Sequence, residues 1–146
     1  MRVSKNDGFS LVELSIALGL IAMLVGMISA GGGMAAQARL QREAQSVDNL
    51  RLAAQNYLSV MSLTYEGISI EAMKSSGYLP ATFEPAGANS YGGDYRVSAN
   101  TADRTRVDIA LSSVPDTAAA GLSRLFRGKA ETLSYDAGAK TWLATF

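Results

Sequence analysis

The chain has 146 residues, enough for one globular domain at most, and about a quarter of that length goes to a polar leader and an apolar stretch. Thirteen basic and thirteen acidic side chains cancel, so there is no basic surplus of the kind nucleic acid binding draws on. Cysteine and histidine are both absent, and with them go disulfides, thiol catalysis and the commonest zinc ligands.

The chain begins MRVSKNDG, a short charged leader, and continues FSLVELSIALGLIAMLVGMISAGGGMAA, an apolar run of membrane length. Between Gly8 and Ala38 the one ionisable side chain is Glu13. An acid at mid-bilayer costs roughly 2.5 to 3.5 kcal/mol on insertion scales, and such residues usually have a partner or a role. The nearest candidate partner is an α-amino group at Phe9, which exists only if the chain is cut after Gly8. Two plainer readings use the same residues. Arg2 and Lys5, the apolar core and the small residues of 29–36 fit a secretory signal peptide, but one whose core overruns the usual ~7 to 15 residues and contains an acid. A plain signal anchor needs only about 18 apolar residues. Arg2 and Lys5 face Arg39 and Arg42 across the run, so charge orients it weakly, and the short leader favours a cytoplasmic N-terminus.

The leader ending in Gly8, Phe9 after it, the FSLVEL stretch with Glu13 and the long apolar helix together resemble a type IV prepilin. The resemblance is concentrated in residues 1–60. It implies that a prepilin peptidase cuts between Gly8 and Phe9 and N-methylates Phe9, that Glu13 serves assembly, and that the helix becomes the core of an extracellular filament. Type II secretion pseudopilins share these marks. Loss of Arg2, Lys5 and Asp7 with the leader would leave eleven basic against twelve acidic side chains.

Gly31, Gly32 and Gly33 stand where this helix leaves its apolar run. Each costs about 0.8 to 1.0 kcal/mol in a helix relative to alanine, so the three mark a site of local unwinding or, equally, of close packing between helices. The proline of the type IVa branch is missing here. Beyond them Leu40, Ala44, Val47, Leu50, Ala54, Tyr57, Leu58 and Met61 recur at spacings of three and four, one face of a helix that packs on a sheet. Arg39, Arg42, Glu43, Asp48, Arg51 and Gln55 fall between them, a face that is solvated or meets neighbouring subunits, with Arg39 and Glu43 an i, i+4 ion pair. The helix is expected over about 9–63.

Tyr65-Glu66-Gly67 ends this stalk. Ser69 caps a short helix through Ser76, with Glu71 in its first turn, Gly77 past its end and Pro80 forbidding continuation. Residues 81–93 read as loop. Two alternating runs follow, 94–99 and 104–111, split by a polar turn; in the second, Val107, Ile109 and Leu111 share the buried face. Val114-Pro115-Asp116 opens a helix to about Arg127 with Leu122, Leu125 and Phe126 on its apolar side, and Gly128 stops it. Residues 132–135 and 140–146 form a hairpin across Asp136-Ala137-Gly138-Ala139. The order predicts an α+β fold: a long N-terminal helix, half membrane-embedded and half amphipathic, packed on a C-terminal antiparallel sheet head. The segments are a leader at 1–8, a transmembrane and polymerisation helix at 9–36, its amphipathic continuation at 37–64 and the head at 65–146. Gly77 to Pro80, Tyr91 to Gly93 and Ile109 to Pro115 look similar to type IVb heads. The eight-residue leader and Phe9 look more like type IVa pilins and pseudopilins, and the type IVb cysteine after Pro115 is missing.

No catalytic constellation is expected, and no cofactor. Lys74, Lys129, Lys140 and the acids of the head are scattered, and Tyr91 to Gly93 is a turn and not a phosphate loop. Asp94, Asp103, Asp108 and Asp116 share one segment without EF-hand spacing, so no metal site is assigned. The resemblance implies a structural pilin subunit that polymerises into a surface filament for adhesion, aggregation, motility or conjugation. Its partners would be other copies of itself, the peptidase, the assembly platform with its ATPase and, before assembly, membrane lipid, with no nucleic acid. It would sit in the bacterial inner membrane as precursor and then on the cell surface. The alternatives are a type II secretion pseudopilin, a minor pilin, or a membrane-anchored adhesive module that never polymerises.

Overall fold

The structure, a computed structural model, describes the backbone of residues 11–61 and 63–146, and the side chains of Ser15, Leu18, 33–59 and 63–146. The chain divides into two compact units, Met1–Ala38 and Arg39–Phe146. Helix α1 is assigned over Leu11–Met61. Among the described residues no helix is long and apolar enough to cross a membrane, and the apolar stretch read at 9–36 lies largely outside the described side chains.

The second unit is an α+β head. Four strands, β1 (Tyr95–Ala99), β2 (Val107–Leu111), β3 (Thr132–Asp136) and β4 (Thr141–Thr145), form an antiparallel sheet in the order β1-β2-β4-β3. The predicted stripe of α1 packs on it: Val47, Leu50, Ala54 and Tyr57 are buried, joined by Ala53. They meet Val107, Ile109, Leu111, Trp142 and Ala144, the alternate inward positions of β2 and β4. Trp142 is fully buried against Phe126, ring centroids 5.6 Å apart, and its indole N–H donates to Ser123 Oγ at 3.0 Å.

Helix α2 (Ile70–Ser75) is capped as its sequence predicts. The Ser69 hydroxyl accepts from the Ala72 N–H at 3.0 Å, and Gly77 turns the chain away at φ 77°. Helix α3 (Asp116–Phe126) joins β2 to β3 and leaves the place between them for β4. It buries Ala119, Leu122 and Phe126, while Leu125 is 46% exposed. The expectation for Leu125 was wrong because the buried stripe runs 119, 122, 126, and residue 125 is turned about 100° from 126. Gly121 lies against Leu40 of α1, where a Cβ would stand 2.7 Å from a Leu40 methyl, so the two helices approach closely there.

Strand β2 starts at Val107, three residues later than its pattern suggested. The Asn100 carboxamide oxygen accepts from the Ala102 and Asp103 N–H groups, and the Arg106 N–H donates to the Asp103 carbonyl at 3.0 Å. Those bonds hold 100–106 as a closed turn.

Candidate functional site

Gly8 and Phe9 lie outside the described residues. Glu13, Gly31, Gly32 and Gly33 fall within the bounds of α1, with the side chain of Glu13 outside those described. Gly33 is exposed, with nothing within 4 Å of the place a Cβ would take.

In the head, the acid read as solvated turns out to be a core group. Glu43 is 1% exposed. One carboxylate oxygen accepts from the Ser90 N–H at 2.6 Å and the other from the Tyr95 hydroxyl at 2.5 Å. The predicted ion pair with Arg39 gives way to these two bonds, because burying a carboxylate demands donors that face it. The signal was in the spacing: position 43 is three past Leu40 and four before Val47, so it lies on the apolar stripe.

The loop that Glu43 holds is itself organised by Asn89, which is buried. Its side-chain oxygen accepts from the Tyr91 and Gly93 N–H groups at 2.9 and 2.8 Å, and its amide donates to the Ser112 carbonyl at 2.8 Å. Gly93 lies so close to Ser112 that any Cβ would overlap that carbonyl. The Asp94 N–H then donates to the Ser112 hydroxyl at 2.8 Å, and the Tyr95 N–H to the Pro85 carbonyl at 2.8 Å. This polar chain runs from α1 through 85–95 to the end of β2.

Several phenols are shifted by these contacts. Burial, and next the hydrogen bond to Glu43, push the Tyr95 phenol far above its ordinary value. Burial also raises Tyr65 and Tyr91. Tyr135, whose hydroxyl lies 2.6 Å from Asp116 Oδ1, is pushed up to about 12, chiefly by that hydrogen bond. Asp103 moves the other way: the Thr105 hydroxyl and N–H hold its carboxyl below the usual range.

The four aspartates noted in sequence go to separate tasks. Asp94 accepts from the Gly87 N–H, Asp103 pairs with Arg106 at 3.0 Å, Asp108 accepts from Asn100 and Thr145, and Asp116 meets Tyr135. Among the described residues no group of three or more acids is placed to hold a metal ion. Lys74 donates to the Phe83 carbonyl at 2.8 Å, and Lys129 pairs with Asp48 at 3.1 Å.

The family model of the prokaryotic N-terminal methylation motif matches residues 3–29, the segment that contains Gly8, Phe9 and Glu13. No curated protein and no solved structure matches the chain. The matched motif is the type IV prepilin signal, and the fold it leads into is a long helix packed on an antiparallel sheet. The chain therefore carries, over residues 3–29, the N-terminal methylation motif that marks type IV prepilins.

Proposed function

We propose that the mature chain is a structural subunit of a type IV pilus, polymerising through its N-terminal helix into a surface filament. The observation that carries this reading is the methylation motif over 3–29, which contains the Gly8–Phe9 junction and an otherwise unexplained acid at Glu13. Cleavage by a prepilin peptidase creates a cation at Phe9, and N-methylation preserves it. An incoming subunit's Glu13 then meets an assembled neighbour's N-terminus in a low-dielectric core, where the pair is much stronger than in water. Gly31, Gly32 and Gly33 serve as the point at which the helix yields under tension. The role is structural, and a head tied together by hydrogen bonds and ion pairs suits it.

Sheared surface material from native cells tests the reading, by N-terminal sequencing and intact mass. The expected result is filaments whose subunit begins with a methylated Phe9. An N-terminus within 30–36 would show ordinary signal cleavage and overturn it. Processed chain that never appears outside the cell would favour the pseudopilin. A Glu13→Ala chain should insert and be cut after Gly8 yet form few or no filaments; abundant filaments would remove the role assigned to Glu13.

A further inference from the structure

Between Gly33 and Val47 the helix carries only three ionisable side chains, Arg39, Arg42 and Glu43. The acid is turned into the core, 1% exposed, with both carboxylate oxygens occupied by Ser90 and Tyr95. Both arginines are exposed, and among the described residues neither has a carboxylate at ion-pair distance. Glu43, the i+4 neighbour that would ordinarily neutralise Arg39, is thus withdrawn from the surface. The exposed surface of this stretch has a single sign. Tyr91, half-buried on the loop that Glu43 pins, lies within the electrostatic reach of Arg39. In sequence, Arg39 follows the apolar segment 9–36 after only Gln37 and Ala38.

We propose that Arg39, Arg42 and Tyr91 form a binding site for the phosphate groups of anionic lipids, used by the subunit before assembly. The inference rests on reading 9–36 as a membrane segment, and it adds a specific lipid class to that reading. Guanidinium groups fork onto phosphate oxygens, and a tyrosine ring with one wet end suits the headgroup level. A neighbouring copy could also supply anions to these arginines. Lipid is favoured because the cations stand directly after an apolar run, where headgroups lie for as long as that run is in the membrane. Turning Glu43 inward serves two ends, since it holds the 85–95 loop and leaves the cations free for phosphate.

The full precursor in nanodiscs of phosphatidylcholine, with or without phosphatidylglycerol, gives the test. Recovery of the chain in discs of either kind checks the membrane reading by itself, and failure to enter them would overturn both claims. Arginine side chains are then modified with phenylglyoxal and mapped by mass spectrometry. With phosphatidylglycerol present, Arg39 and Arg42 should react about fivefold more slowly, the effect of one basic group at an anionic surface. Arg96 and Arg124, both exposed, should not change. An Arg39→Gln, Arg42→Gln chain should lose its preference for co-purifying phosphatidylglycerol. Equal reactivity in the two discs would overturn the proposal, as would equal slowing at Arg96 and Arg124. Equal protection by inorganic phosphate in phosphatidylcholine discs would reduce the site to general anion binding and also overturn it. Protection found only in lipid-free filaments would assign the arginines to a second copy instead.

Discussion

Replacing Glu43 by alanine takes the carboxylate acceptor from the buried Tyr95 hydroxyl and from the half-buried Ser90 N–H. Each stranded buried donor costs about 1 to 3 kcal/mol, so Glu43→Ala should destabilise the head by about 3 kcal/mol. Glu43→Gln can accept from Ser90 and donate to the Tyr95 oxygen, and should lose about 1 kcal/mol. Urea melts followed by Trp142 fluorescence would measure both, and equal losses would show that the charge, not the hydrogen bonding, is what Tyr95 and Ser90 require. Trp142 itself is fully buried beside Phe126, and Trp142→Ala should cost about 3 to 5 kcal/mol, enough to threaten a domain of this size. A Trp142→Ala head that melts like the wild type by circular dichroism would contradict that packing.

At the scale of elements, the proposed yielding of α1 predicts a mechanical effect. Alanine at 31, 32 and 33 adds about 0.8 to 1.0 kcal/mol of helix preference per position, so filaments of that variant should stretch less under load with the head unchanged. Unaltered force–extension curves would remove the role given to these glycines. Most elements were legible in sequence because their signals are local. The Ser69 cap, Pro80 and Gly128 mark boundaries by backbone chemistry, and the stripe of α1 and the alternation of β2 mark faces by period. What was not legible depended on contacts distant in sequence. Glu43 looked solvated because its partners, Ser90 and Tyr95, are supplied by a loop that hydrophobic periodicity does not describe. Leu125 looked buried because the direction in which α3 faces is set by β4, and the late start of β2 follows from side-chain bonds of Asn100 that no apolar pattern reports.

For the whole molecule, the raised phenols predict how stability depends on alkali. Tyr65, Tyr91, Tyr95 and Tyr135 all hold their protons more tightly folded than unfolded. Above pH ~10 the unfolded chain therefore binds fewer protons, and stability present below that pH is lost as pH rises towards the folded values. For the well-buried Tyr95 the loss is about 1.4 kcal/mol per pH unit in that window. Urea midpoints should be flat between pH 8 and ~9.5 and fall beyond it, and Tyr95→Phe should start lower but fall less steeply. A wild-type midpoint unchanged at pH ~11 would contradict the burial and hydrogen bonding that hold these protons.

The strand order has a consequence for how the head comes into being. Strand β4 is last in the chain yet second from the edge of the sheet, hydrogen-bonded to β2 on one side and β3 on the other. Until it arrives, β3 has no strand to pair with, Phe126 lacks its tryptophan, and the α1 stripe faces half a sheet. A chain made from its N-terminus would hold an unfinished, sticky intermediate until Thr141–Thr145 followed, so a holdase would have a defined span of chain to protect.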